Sequence, residues 1–252
     1  MQLKLYPFIL LLLIYGCNNN APLNVEEENS VDPTSKLMEQ VYLAHGELGN
    51  YSFKFRGNDY SFSFDGDEFQ YKKSTLKDSV FTEDLLTNDL FERRVDWVLQ
   101  DLSQEDSDKY SESLNSVVYF TCLPLNLNAP AVNRALKPQI SINNTLYDVI
   151  EVTFDEEGGG KDHDDVFYYW FNNETHIMDF MAYSYKVNGG GVRFREAYNS
   201  RMIDGMRFQD YVNYSAPADT PLDSLPILFE QKKLEELSLI VAEQVAPFNK
   251  TK

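Results

Sequence analysis

The chain has 252 residues, of which 43% are hydrophobic and 14% aromatic, and its formal net charge is -18. This length fits one large domain or two small ones. A protein this acidic repels nucleic acid at long range, and the sequence has no basic patch interleaved with aromatic residues. We therefore exclude nucleic acid as a partner.

The first 16 residues have the features of an export signal. Lys4 supplies a positive charge, and an apolar run from Leu5 to Tyr15 follows it. Such a run has the length of a signal-peptide core and is too short to span a bilayer. Gly16-Cys17 closes the run and resembles the lipobox of bacterial lipoproteins, which implies acyl chains on Cys17 that insert into a membrane. The alternative is an ordinary signal peptide or N-terminal anchor with a chance cysteine.

The sequence after the signal predicts a tether and one domain. Residues 17–31 are acidic and polar, so they cannot bury a core, and we expect a single β-rich globular domain over residues 32–252. Asn18 does not match the signal for inner-membrane retention. We therefore expect an envelope protein in the outer membrane. If Cys17 is acylated, Cys122 has no disulfide partner and is predicted to be a buried small hydrophobe.

The first half of the domain combines a helix with strands. Asp32-Pro33 predicts the start of a helix over residues 33–45. Alternating aromatic and polar residues between 51 and 71 predict a β-meander. Residues 81–91 could form a helix, and residues 104–112 are expected to form a loop or the start of a helix. Three prolines between 123 and 138 predict a crossing loop with a short helix at 132–136.

The second half predicts another meander. Its predicted strands are bounded by turn-forming asparagines and glycines: 139–142, 147–154, 166–171, 177–185, 191–198 and 206–214. Residues 234–245 could be a helix or a strand. About nine strands with little helix between them do not fit a parallel α/β fold. We therefore predict a mainly β (α+β) fold, in which a large curved antiparallel sheet, a half-barrel, wraps over one or two helices.

An acidic loop between two of these strands is the most unusual local sequence. Residues 155–165 contain six acids, a glycine run and one histidine, including Asp162, His163, Asp164 and Asp165. Carboxylates at a flexible loop can bind Ca²⁺, and a histidine beside them can bind Zn²⁺ or act as a general base. The alternative is a solvated hairpin loop. We otherwise expect no cofactor.

Arginines and aromatic residues provide a second candidate site. Arg193 and Arg195 point to one face of a strand and could hold a carboxylate or phosphate of a ligand. Separately, aromatic residues that include Tyr168 and Trp170 could line a cavity for an acyl chain or another hydrophobic ligand. The alternatives are arginines paired with neighbouring acids, such as Asp179 or Asp210, and aromatic residues that simply form the core.

Four stretches of the chain are similar to an uncharacterised lipoprotein family common in flavobacteria (Bacteroidota). They are residues 113–127, 152–167, 188–196 and 205–211. The resemblance implies the fold of the lipoprotein-localisation factors (LolA and LolB), in which a half-barrel sheet around a helix encloses a hydrophobic cavity. Some family members are labelled deoxyribose-phosphate aldolase. A Schiff-base aldolase needs a lysine at a barrel strand end with a second lysine beside it, and these residues do not predict that arrangement.

Three functions are compatible with the sequence. The leading hypothesis is a membrane-anchored protein, not an enzyme, that binds a lipid, an acyl chain or another hydrophobic small molecule. The second is a metal-assisted hydrolase that uses the 155–165 loop. The third is a structural envelope lipoprotein. An apolar cavity would favour the first hypothesis. Convergence of His163 with two acids would favour the second, and a solid core would favour the third.

Overall fold

The computed structural model describes residues 34–157, 164–186 and 190–249. Contacts group Asp32–Lys252 into one compact unit. The signal peptide, Cys17 and the tether lie outside the described residues. So do Asp162 and His163 of the acidic loop.

Antiparallel strands form two curved, seven-stranded sheets, which confirms the predicted mainly β fold. The N-sheet has the order β14-β1-β2-β3-β4-β5-β6. Its strands are β1 Tyr51–Phe55, β2 Asn58–Asp65, β3 Glu68–Lys77, β4 Val80–Thr87, β5 Phe91–Val95, β6 Val98–Leu99 and β14 Glu243–Pro247. The prediction had placed the strands in one sheet.

The C-sheet has the order β13-β12-β11-β10-β9-β8-β7. Its strands are β7 Val132–Ile142, β8 Thr145–Phe154, β9 Val166–Asn172, β10 Met178–Tyr185, β11 Gly191–Ile203, β12 Met206–Ala216 and β13 Glu235–Ile240. The turn at Asn143 and Asn144 has positive φ at both residues, a conformation that asparagine tolerates.

The two sheets are linked where β13 passes into β14. Asp210, which is 1% exposed, accepts a hydrogen bond from the Ala242 backbone N–H at 3.0 Å. The same carboxylate pairs with Arg201 at 3.2 Å and accepts from the Asn199 amide at 2.6 Å. A buried carboxylate is stable only with such partners. Asp210 therefore anchors the crossing between the sheets.

Three helices cover the sheets: α1 Ser35–His45, α2 Gln104–Thr121 and α3 Leu225–Glu230. The Ser103 side chain caps α2 by accepting from the Asp106 backbone N–H at 3.1 Å. Leu114 and Val118 of α2 pack in one core cluster with residues of the N-sheet. Met38 and Val41 of α1 pack against one face of the C-sheet, whereas Leu225 of α3 packs against the other.

The two faces of the C-sheet differ in what covers them. The inner face is the one that contacts α1 and residues 119–127, and the outer face contacts α3. Strand β9 is apolar on both faces. Phe167, Tyr169 and Phe171 point inward, and Tyr168 and Trp170 point outward, because side chains alternate along a strand.

Several sequence predictions of secondary structure were wrong. Residues 81–87 are part of β4, and Phe91 begins β5. Strand β4 is a central strand whose polar residues pair across the sheet, as Asp84 does with Arg93. For residues 104–112, by contrast, the predicted alternative of a helix start is confirmed, because residues 104–121 form one helix with a polar outer side. The expected helix at 132–136 is part of β7, whose Pro138 lies within the irregular register between Lys137 and Ile140 of an edge strand.

Each described sheet has two edge strands, β14 and β6 in the N-sheet and β13 and β7 in the C-sheet. The edges at β6 and β7 are blunt. Strand β6 is only two residues long and has an exposed Val98 and Leu99. Strand β7 is longer, but the register shift and Pro138 interrupt its ladder. Short, bulged or proline-containing edges resist pairing with another chain.

None of the helices among the described residues combines the length and apolar character needed to cross a bilayer.

Candidate ligand-binding site

A cluster of six aromatic residues lies on the inner face of the C-sheet, close to the end where β8, β10 and β12 finish. We call it the aromatic cluster; its members are Tyr119, Phe120, Phe154, Phe167, Tyr169 and Tyr183. The first two come from the last turn of α2 and the others from strands β8, β9 and β10. The helix end therefore closes over a sheet face that is already aromatic.

Ring contacts connect the cluster. Phe167 stacks on Tyr183 with 5.3 Å between ring centroids, and Phe154 meets Phe167 edge-on at 5.6 Å. Phe120 lies 5.5 Å from Tyr183 and 6.4 Å from Phe167. Phe120, Phe154 and Tyr183 are only half-buried. The cluster thus presents part of its apolar surface to solvent.

Arg195 of β11 lies against this cluster and is 7% exposed. Its guanidinium donates to the Tyr183 hydroxyl at 3.1 Å and stands 4.1 Å from the centroid of Phe120. A second cation–π contact joins it to Tyr183 at 5.3 Å. Aromatic faces attract a desolvated cation, but they do not neutralise its charge.

Among the described residues, no carboxylate forms an ion pair with Arg195. The predicted alternative partners are engaged elsewhere, since Asp210 pairs with Arg201 and Asp179 accepts from Tyr147 at 3.1 Å. A buried charge without a counter-ion costs several kcal/mol of free energy. In the ligand-free protein, the buried charge of Arg195 therefore lowers the stability of the fold, which is typical of a residue that binds a ligand.

Arg93 in the N-sheet shows the contrasting arrangement. Its guanidinium makes two contacts with the Asp84 carboxylate, at 2.6 Å and 2.8 Å, and lies 3.2 Å from the Tyr110 ring centroid. Asp84 is 2% exposed. Both arginines have aromatic contacts, but only Arg93 has its own bidentate carboxylate.

Four buried polar atoms on or beside the aromatic cluster have no hydrogen-bond partner. They are the hydroxyls of Tyr119 and Tyr169, Nε of Arg195 and Oδ1 of Asn213. Arg195 lies directly opposite Asn213 on β12 and Met181 on β10, and Met181 lies opposite Tyr169. Unsatisfied buried polar groups are rare and need an explanation. Here three of them, on Tyr169, Arg195 and Asn213, lie in a single row across the sheet.

Burial keeps the tyrosine hydroxyls protonated. It raises the pKa of Tyr119 to about 12 and the pKa of Tyr169 well above its usual value. The two hydroxyls lie close enough to shift each other's pKa by hydrogen bonding, although neither has a partner within strict hydrogen-bond geometry. Both are therefore O–H donors at neutral pH.

The structure separates the four residues predicted to bind a ligand. Arg193 and Arg195 share the inner face, and Arg193 lies half-buried with its guanidinium 5.1 Å from the Tyr185 ring centroid. Tyr168 and Trp170 point to the outer face and pack in the core beside α3. The Tyr168 hydroxyl donates to Glu151 at 2.7 Å. The arginines and these two aromatic residues therefore cannot form one site.

The acidic loop is described only at its margins. Asp164 is exposed and forms an ion pair with Lys186 at 3.3 Å, while Asp165 is 8% exposed. Asp162 and His163 lie outside the described residues. Within the ranges that the structure describes, no three His, Cys, Asp or Glu side chains are grouped as metal ligands. The metal hypothesis therefore stays a prediction.

A surface pocket of about 550 Å³ lies beside this end of the C-sheet. Its lining consists of Ala129, Pro130, Ala131, Asp155 and Glu157. Asp155 directly follows Phe154 of the aromatic cluster, so the pocket borders the cluster.

Sequence reasoning missed five members of the aromatic cluster as site residues: Tyr119, Phe120, Phe154, Phe167 and Tyr169. Tyr119 and Phe120 belong to an apolar run that resembles a strand, and only the helix places them over Arg195. Part of the arrangement could have been predicted from the alternation of side chains along a strand, because Arg195 must point to the same face as every second residue of β11. The sequence could not show which face of β9 lies on the same side of the sheet as Arg195, since both faces of β9 are aromatic.

The chain belongs to DUF6503, a family of unknown function that matches residues 48–242. A search of curated proteins found no match. The flavobacterial origin and the aldolase label of the resembling family stay predictions.

Solved structures with low sequence identity are similar to the chain. A LolA superfamily protein from Nitrosomonas europaea is 12% identical, with 85% of this chain and 93% of that chain covered and a TM-score of 0.46. A putative outer membrane lipoprotein-sorting protein domain from Vibrio parahaemolyticus is 5% identical, with 86% and 93% covered and a TM-score of 0.45. A DUF1329 family protein from Desulfovibrio piger is 11% identical, with 88% and 96% covered and a TM-score of 0.44.

Proposed function

We propose that this chain is a lipid-anchored protein of the cell envelope that binds a hydrophobic or amphipathic ligand on the inner face of the C-sheet. Cys17 would hold the acyl chains, and the outer membrane is the expected location. The ligand would lie against the aromatic cluster, and the role would be binding or carrying rather than catalysis.

The half-buried state of the aromatic cluster is the observation that supports this proposal. Phe120, Phe154 and Tyr183 contact one another or Phe167, yet each leaves part of its ring accessible. Ligand sites are mostly apolar with a few polar groups that fix orientation. The aromatic cluster with Arg195 has this composition, and the outer face of the same sheet is closed by α3.

Native mass spectrometry of Asp32–Lys252 tests the proposal. All three core clusters lie inside this unit, so we expect it to fold by itself, and a cooperative thermal transition would verify that first. We expect a bound lipid-sized mass that survives a chelator and appears in a solvent extract. A Phe154→Ala variant should lose the mass. Phe81→Ala, a half-buried phenylalanine of the N-sheet, should keep it.

Two other outcomes would overturn the proposal. A bound metal that the chelator removes, and that a His163→Ala variant lacks, would favour the hydrolase hypothesis. A protein without any bound mass, which also fails to bind decanol, decanoate and decyl phosphate in titrations, would leave the structural role.

A further inference from the structure

We infer that the ligand of the aromatic cluster is anionic, and that Arg195 is the receptor for its carboxylate or phosphate group. This inference rests on the proposed function and deepens it, because it specifies the chemistry of the ligand's polar end. The alternative within the same function is a neutral hydrophobic ligand that makes no use of Arg195.

The position of Arg195 is the first reason. The guanidinium is buried and fixed on three sides, by the Phe120 ring at 4.1 Å, by the Tyr183 ring at 5.3 Å and by the Tyr183 hydroxyl at 3.1 Å. Its Nε–H remains without an acceptor. A rigidly held guanidinium with a free donor matches the geometry of carboxylate and phosphate oxygens.

The hydroxyls around Arg195 are the second reason. Tyr119 and Tyr169 each have a buried hydroxyl without a partner. Each buried hydroxyl is an O–H donor, as Nε of Arg195 is an N–H donor. A neutral hydrocarbon has no acceptor for any of these donors, whereas an anion that enters this buried region brings acceptor oxygens.

The absence of a competing acid in the described part of the chain is the third reason. The chain has a net charge of -18, and yet no described carboxylate pairs with Arg195. Arg93, Arg94 and Arg201 all have an acidic partner within 4.0 Å. A ligand anion would supply to Arg195 what Asp84 supplies to Arg93.

Titration calorimetry with matched ligands tests this inference. The probes are decanoate, decyl phosphate and decanol, which share one chain length, together with acetate and inorganic phosphate, which lack the chain. We expect at least one of the two anionic amphiphiles to bind about ten to a hundred times more tightly than decanol, as charge-assisted hydrogen bonds imply. Comparison of decanoate with decyl phosphate identifies the preferred anion.

Variants assign the preference to Arg195. An Arg195→Met variant should bind the three amphiphiles with affinities equal to within about threefold, and Arg195→Lys should keep part of the preference. Arg94→Met is the control: it removes one positive charge from the N-sheet, where Arg94 pairs with Glu92 at 2.7 Å, and should leave the preference intact. Circular dichroism would verify that each variant is folded.

The outcomes separate this inference from the proposed function. Equal binding of decanol and both anions to the parent protein would overturn the anion receptor and leave the hydrophobic ligand in place. Failure of every amphiphile to bind would overturn both. Arg195-dependent binding of acetate or inorganic phosphate without any contribution from the chain would support the receptor and contradict the hydrophobic site.

Discussion

At the residue scale, two buried arginines differ in what they contribute to stability. Arg93 neutralises Asp84, so its removal would leave a buried carboxylate unpaired. Arg195 neutralises nothing among the described residues. A buried arginine therefore stabilises the fold in the N-sheet, where it has a carboxylate partner, and destabilises it in the C-sheet, where it has none among the described residues.

The two methionine variants should separate these roles. We expect Arg93→Met to lower the free energy of unfolding by about 3 kcal/mol or more, as loss of one partner of a buried pair does. Arg195→Met should change it by no more than about 1 kcal/mol, because the lost contacts offset the relieved desolvation. Urea denaturation of ligand-free protein measures both. A loss at Arg195 as large as that at Arg93 would show that Arg195 is structural.

His45 should make the fold sensitive to mild acid. Burial lowers its pKa from 6.5 to about 4, and the nearby charge of Arg207 acts in the same direction. Its Nδ1–H donates to the Val41 carbonyl oxygen at 2.7 Å, and its Nε2 accepts from the Met178 N–H at 3.3 Å. The ring is therefore neutral in the folded state.

The sign of the effect follows from proton binding. Between pH 6.5 and pH 4 the unfolded chain binds a proton at His45 and the folded protein does not, so stability falls as the pH drops through this window. The contribution lost is about 2 kcal/mol at pH 5. Urea denaturation at pH 7 and pH 5 should show a smaller change in a His45→Gln variant than in the parent. Equal changes would contradict the assignment.

At the element scale, the contact between α1 and the β11–β12 turn depends on one glycine. Gly46 ends α1 with φ +85°, and a Cβ there would lie 1.8 Å from the Gly205 carbonyl oxygen. Gly46 also forms an isolated bridge with Met206. The glycine thus allows the helix end to touch the sheet backbone.

Two alanine variants separate close approach from backbone conformation. Gly205 has φ +90° but open space at its Cβ position, so Gly205→Ala should cost about 1–2 kcal/mol from backbone strain alone. Gly46→Ala adds a backbone clash and should cost more, about 3 kcal/mol or above. Thermal and chemical denaturation would measure both losses. Equal losses would mean that the helix end moves away from Gly205 at little cost.

Sequence patterns predicted some elements and not others, for physical reasons. The aromatic alternation in Tyr51–Phe55 and Asn58–Asp65 is clear because one face is buried and the other polar. The pattern failed at β7, where an edge strand tolerates Pro138, and it left a loop and a helix start as alternatives at α2, whose outer side is solvated. The sequence was enough to predict that Arg193 and Arg195 point to the same face of their strand. The burial of Arg195 without a carboxylate partner depends on tertiary packing alone.

At the scale of the whole molecule, the proposed anchor can be tested through the two cysteines. Cys122 is 2% exposed, and burial raises the pKa of its thiol far above its usual value. A Cys17→Ser variant should lose labelling by radioactive palmitate in a bacterium that processes lipoproteins, and it should leave the membrane fraction. Cys122→Ser should keep both properties. Label retained by Cys17→Ser would contradict anchoring at this residue.

The blunt edges at β6 and β7 have a consequence for crowding. Strand β6 offers two residues, and the ladder of β7 is interrupted at Pro138, so neither of these two edges is a long template for a neighbouring chain. If the proposed anchor holds many copies in one plane, they would meet at high local concentration and in similar orientations. At β6 and β7 such neighbours would find little regular backbone on which a continuous intermolecular sheet could begin.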